Sequence, residues 1–101
     1  MAVEPIVITL DRDLEDLVPV FLAQRKTDLA TLNAALAAGD FAAMRRAGHG
    51  MAGAGASYGF DYLSVLGERI VEAARAGNAT AVEGVNREFD DYMARLVVKY
   101  M

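Results

Sequence analysis

Residues 39–59 read GDFAAMRRAGHGMAGAGASYG and predict one helix with a defined start and end. Gly39 suits the left-handed cap that closes a preceding helix, and Asp40 suits the N-cap of the next one. Gly59 suits the cap at the far end. At about 100° per residue, one sector of this helix contains the residues that we assign to the core: Phe41, Met44, Gly48, Met51, Gly55 and Tyr58.

His49 is the only histidine of the chain and projects roughly 130° away from the centre of that sector. Its neighbours are almost all glycine and alanine, although each glycine inside a helix costs up to ~1 kcal/mol relative to alanine. Such a surface leaves bare space around an imidazole, which is nucleophilic near neutral pH. We therefore interpret His49 as a solvent-facing reactive group, with Gly53 allowing close approach and Arg45 and Arg46 as cations one turn away.

Three further segments have apolar residues at steps of three and four, which is typical of amphipathic helices: Leu14–Leu36, Leu63–Ala74 and Val82–Leu96. Pro19 divides the first segment, so we expect a short helix from about Asp11 to end there and a long one to begin. The last helix is predicted to run nearly to the C-terminus. Strand-like alternation is limited to Ile6 to Thr9.

Helices joined by connections of a few residues lie antiparallel to their neighbours, because a short loop cannot reach the far end of a bundle. The sequence therefore predicts an all-α fold, an up-down antiparallel four-helix bundle with a short extra N-terminal helix. A length of 101 residues suits one domain, 1–101. A self-contained bundle of this kind favours a monomer.

Composition argues against several classes of function. Fourteen acidic residues against ten basic ones, without a basic stripe, argue against a nucleic-acid partner. The absence of cysteine and the lone histidine argue against a metal site. The N-terminus shows neither a signal peptide nor a membrane span, so we expect no membrane association and a cytoplasmic protein.

Gly48-x-Gly50-x-x-Gly53 matches the dinucleotide-binding fingerprint literally. That motif requires a preceding strand, so that backbone N–H groups at the start of a helix face a pyrophosphate. Here a helical pattern precedes it, and no P-loop sequence is present. The sequence therefore predicts no ATP-binding or autokinase site.

Residues 47–60 resemble the phosphorylation-site helix of the histidine-phosphotransfer (HPt) domains of bacterial two-component phosphorelays. The resemblance extends to Phe21-Leu22-x-x-Arg25, to Ala35-Leu36-x-x-Gly39-Asp40 and to the segment from Leu63 to Gly77, and so covers essentially the whole chain. It implies a signal-transduction protein in which a histidine accepts a phosphoryl group from a receiver-domain aspartate and passes it to another receiver.

The resemblance also implies roles for individual residues. The family's H-x-x-K-G core maps onto His49, Ala52 and Gly53, which makes His49 the phosphoacceptor. Ala52 stands where the family usually has lysine, and Val71 stands where a polar residue is often found on the following helix. Our hypothesis is that Arg45 or Arg46 replaces these groups beside the phosphoryl oxygens.

The partners implied are receiver domains of response regulators or of hybrid histidine kinases, and these bring the Mg²⁺ that the chain itself would not bind. We expect them to dock on a flat apolar surface that includes Ala42, Ala52 and Ala56.

Two other classes of function stay open. The first is a phosphorylation-incompetent HPt-like adaptor that regulates a kinase or a receiver by binding, motivated by Ala52 in place of lysine. The second is an unrelated helical interaction or dimerisation bundle. Small-molecule catalysis is the least supported, because no catalytic pair accompanies the lone nucleophile.

Overall fold

The computed structural model describes residues 4–101 and contains four long helices and one pair of short strands. The elements are β1 (Ile6–Leu10), a 3-10 helix (Arg12–Leu14), α1 (Val18–Ala38), α2 (Phe41–Tyr58), α3 (Asp61–Arg75), α4 (Ala79–Arg95) and β2 (Leu96–Tyr100). The chain is thus mostly helical, with the four helices that the sequence predicts. No helix within residues 4–101 has the length and apolar character needed to cross a membrane.

The helix boundaries follow from local chemistry. Gly39 closes α1 in the left-handed conformation, with a φ of 66°, and its N–H donates to carbonyls of the last turn. The Asp40 side chain then accepts a hydrogen bond of 3.0 Å from the N–H of Ala43 at the start of α2. Asn78 caps α4 in the same way through the N–H of Ala81. These predicted caps are confirmed.

The N-terminal region differs from the prediction. Pro19 lies in the first turn of α1, as expected. The helix expected from about Asp11, however, is only the 3-10 turn Arg12–Leu14, with the Asp11 side chain accepting from the N–H of Asp13. Only residues 11–17 lie between β1 and α1, and so short a segment favours one tight turn over an α-helix.

The expectation of a purely α-helical fold is wrong at the C-terminus. Helix α4 ends at Arg95, and Leu96–Tyr100 forms a strand that pairs in parallel with Ile6–Leu10. Val97, Val98 and Tyr100 favour a strand, and the residues of β2 alternate between partly buried and exposed. The partner strand lies at the other end of the chain, so helical periodicity alone did not separate this segment from α4.

The four helices enclose one core, which includes Leu32, Met44, Met51, Phe60, Leu66, Ile70, Val82 and Phe89. The predicted inward sector of α2 is confirmed at Met44, Gly48, Met51 and Gly55, which are buried. Phe41 and Tyr58 at its two ends are partly buried and pack against the same core.

Helices α2 and α3 touch through their backbones. A Cβ placed on Gly67 would lie 2.5 Å from the carbonyl oxygen of Gly48 and 2.7 Å from the nitrogen of Ala52. Further along the pair, a Cβ on Gly55 would lie 2.9 Å from the nitrogen of Ser64. Real side chains do not tolerate such distances to backbone atoms. The close approach of α2 and α3 therefore depends on glycine at these positions.

Gly67→Ala should destabilise the fold, because its new methyl group meets backbone atoms that cannot move without separating the two helices. We expect a loss of about 1–3 kcal/mol in the free energy of unfolding, measured by urea denaturation. Gly84→Ala in α4 is the matched control, since a Cβ there meets nothing within 4 Å. That variant should gain up to about 1 kcal/mol from helix propensity. Equal stability of the two variants would contradict the close contact.

Tyr92 in α4 has a buried phenol, with 2% of the residue exposed and no hydrogen-bond partner for its hydroxyl within residues 4–101. Burial raises the pKa of Tyr92 to about 12, and the nearby Tyr62 and Asp61 add to the effect. In the unfolded chain a tyrosine loses its proton near pH 10. Stability should therefore fall as the pH rises from about 10 towards 12, because the folded state holds this proton longer.

Tyr92→Phe should flatten that alkaline decline while changing the neutral-pH stability by less than about 1 kcal/mol, since the hydroxyl makes no hydrogen bond. Urea denaturation at neutral pH and at about pH 11 checks this. Tyr58→Phe, which leaves Tyr92 in place, should keep the decline. A loss of stability in Tyr92→Phe at alkaline pH equal to that of the wild type would contradict the prediction.

Candidate functional site

His49 is exposed near the middle of α2, on the side away from the buried residues of that helix. The glycines around it fall into two groups. Gly48 faces α3, where a Cβ would lie 2.8 Å from Cγ2 of Ile70. Gly50 and Gly53 face open space, where a Cβ would meet nothing within 4 Å. The first group serves packing, whereas the second leaves the surface beside the imidazole bare.

His49 borders a shallow groove of about 660 Å³ between α2 and α3. Its apolar and small residues are Ala52, Gly53, Ala56, Ser64 and Val71, and its charged residues are Asp61, Glu68, Glu72 and Arg75. The hydroxyl of Ser64 donates a hydrogen bond of 2.5 Å to the carbonyl of Ala52, which ties the two helices together. The groove is therefore a fixed surface between two packed helices, with small side chains beside the imidazole.

A second depression, of about 240 Å³, adjoins His49 and contains Arg45, Arg46, Val71 and Arg75. All three arginines are exposed. Within residues 4–101 none of them takes part in an ion pair. These guanidinium groups are therefore free to meet an anion held at the imidazole.

The structure thus places Arg45 and Arg46 in one depression with His49 and adds Arg75 from α3. Sequence reasoning missed Arg75. It lies one turn beyond Val71 on the neighbouring helix, and only the register between α2 and α3 shows that it reaches the same depression. The available signal was the short turn between α2 and α3, which limits how the two helices can be aligned.

The predicted docking residues are divided. Ala52 and Ala56 line the groove with His49 and Gly53. Ala42 is exposed on the same helix but lines neither depression. Ala52 and Val71, where the resemblance implies lysine and a polar residue, both lie beside His49 as apolar groups.

No group of three or more histidine, cysteine or acidic residues with the spacing of a metal site occurs in the part of the chain that the structure describes. The charged groups that line the groove and the depression beside His49 are the guanidinium groups of three arginines and the carboxylates of Asp61, Glu68 and Glu72.

The family model of the Hpt domain matches residues 16–98 of the chain. The chain therefore belongs to the Hpt domain family, and the resemblance seen in its sequence is confirmed. Hpt domains carry out histidine phosphotransfer in phosphorelays and interact with the receiver domains of two-component systems. No curated protein and no solved structure matches the chain significantly.

Proposed function

We propose that this protein is a phosphoryl carrier in which His49 accepts a phosphoryl group from a receiver-domain aspartate and relays it to a second receiver. The observation that carries the proposal is the exposure of the only histidine of a chain of the Hpt family, beside a groove and three arginines that form no ion pair within residues 4–101.

The proposed step is an in-line displacement. An unprotonated ring nitrogen of His49, Nε2 as the family implies, attacks the phosphorus of the aspartyl phosphate. The N–P bond forms as the P–O bond to aspartate breaks, and the carboxylate is released with its electron pair. In the transfer to the second receiver, a P–O bond to the aspartate of that receiver forms as the N–P bond breaks. We expect the receiver to hold the Mg²⁺ that neutralises the charge of the transferring phosphoryl group.

We also propose that the helices form an up-down antiparallel bundle. Contacts between neighbouring helices support this, because residue numbers rise along one helix as those of the contacting residues fall along the next. Gly48 faces Ile70 while Gly55 faces Ser64, and Arg69 pairs with Glu88 while the Tyr62 ring contacts Tyr92. The single domain, the monomeric state and the cytoplasmic location remain predictions from the sequence.

The second candidate is the phosphorylation-incompetent adaptor, which would bind a receiver or kinase without accepting a phosphoryl group. The apolar Ala52 and Val71 beside His49 favour it, since neither can bind a phosphoryl oxygen. The free arginines favour the carrier. The two candidates differ in whether His49 accepts a phosphoryl group.

Incubation with phosphorylated receiver domains tests the carrier. We expect an acid-labile label on the wild-type chain and none on His49→Gln, because an amide nitrogen cannot act as the nucleophile. Autoradiography after acid and base treatment measures the label. Stable binding to a receiver with no label on either chain would establish the adaptor instead, and equal labelling of both chains would exclude His49 as the acceptor.

The arginines should prolong the life of the phosphohistidine. We expect Arg45→Ala with Arg46→Ala, and separately Arg75→Ala, to shorten the phosphohistidine lifetime by about twofold to fivefold, since each exposed ion pair contributes up to ~1 kcal/mol. The lifetime is measured on the isolated phosphorylated chain by ³¹P NMR. Arg87→Ala is the control, because Arg87 pairs with Glu83 elsewhere on α4. Lifetimes equal to that of the wild type would remove the arginines from this role.

A further inference from the structure

Charge is unevenly distributed around His49. Arg45 and Arg46 line the depression, and Arg75 lines both the depression and the groove. Asp61, Glu68 and Glu72 line the groove but not the depression. A docking partner that covers His49 therefore meets basic groups in the depression and acidic groups in the groove.

Among the residues that the structure describes, the carboxylates of the groove form no ion pair, unlike three carboxylates of α4. Glu88 in α4 accepts two hydrogen bonds from Arg69, at 2.7 and 3.1 Å, and this pairing holds the pKa of the Glu88 carboxyl below its ordinary value. Glu83 and Asp91 pair with arginines in the same way. Within residues 4–101, Asp61, Glu68 and Glu72 form no ion pair.

Glu68 and Glu72 also repel each other. They lie four residues apart on α3, so their side chains are neighbours on the helix surface. Like charges at this spacing destabilise a helix by a few tenths of a kcal/mol, roughly 0.2–0.5.

We propose that Asp61, Glu68 and Glu72 form an acidic rim that selects and orients the partner receiver through a basic patch on that receiver. This rests on the proposed phosphotransfer function. The groove between the helices is lined by small and apolar groups, which fit many partners equally well. The charges carry more information, because opposite charges speed encounter and like charges reject a wrong partner.

The orientation of the receiver follows from the same distribution of charge. The receiver's acidic site, with its aspartyl phosphate, faces the three arginines, and lysine or arginine side chains of the receiver lie over the rim. In the reversed orientation, carboxylates would face carboxylates. The charge pattern therefore favours the orientation that brings the phosphoryl group to the imidazole.

Glu68→Lys tests the rim without threatening the fold. It removes the repulsion from Glu72 and places a cation four residues before that carboxylate, so the free energy of unfolding should stay constant or rise slightly. Transfer from a phosphorylated receiver that labels the wild type should slow by about threefold to tenfold at low ionic strength. Glu68→Gln should give a smaller loss. Both losses should shrink at about 1 M salt, where screening is strong.

Asp90→Lys is the matched control. It changes the net charge by the same amount, and Asp90 is an exposed residue of α4 in a different depression, with Asn33 and Arg87. Its transfer rate should equal that of the wild type. Phosphoramidate, a small phosphoryl donor that needs no docking, should still label His49 in every variant, so that a loss confined to transfer from the receiver reports a docking defect.

Replacing a lysine or arginine of the receiver patch with glutamate should restore transfer to Glu68→Lys. The proposal is contradicted if Glu68→Lys accepts a phosphoryl group from the receiver at the wild-type rate, or if Asp90→Lys slows transfer as much as Glu68→Lys does. It is also contradicted if labelling by phosphoramidate falls together with transfer from the receiver. Failure of the proposed function looks different, because then no phosphorylated receiver labels the wild-type chain at all.

Discussion

The direct contact between the backbones of α2 and α3 is the constraint on which the rest of the structure depends. Gly48 and Gly67 allow this approach, and the hydrogen bond from Ser64 to the carbonyl of Ala52 reinforces it. Helix α2 carries many glycines and is a poor helix by propensity. Packing against α3 therefore supplies the order that the local sequence lacks, and it fixes the register that brings Arg75 to His49.

The glycines of α2 serve two opposite purposes. Gly48 and Gly55 face α3, where any side chain would separate the helices, whereas Gly50 and Gly53 face solvent, where a side chain would fit. The second pair cannot be explained by packing. An accessible imidazole explains it, because a flat surface admits a second protein close to the ring. One helix thereby combines a rigid attachment on one side with open access on the other.

Much of this arrangement could be predicted from the sequence, because it depends on local chemistry. The caps at Gly39 and Asp40, the buried Met44 and Met51, and the exposure of His49 follow from residue type and helical period. The strand at Leu96–Tyr100 and the position of Arg75 depend on residues that are distant in sequence. Periodicity within one segment carries no information about contacts with distant residues, so the strand and the position of Arg75 became visible only in the structure.

The pairing of β1 with β2 has a consequence for how the chain folds. The backbone of Met101 bonds to Leu10 and Arg12 at 3.1 and 3.2 Å, so the strand pair closes a loop that contains all four helices. Closing so long a loop is entropically unfavourable until the intervening chain is compact. We expect the two strands to pair after the helices assemble. The same pairing should be the first contact to break when the molecule is pulled from its ends.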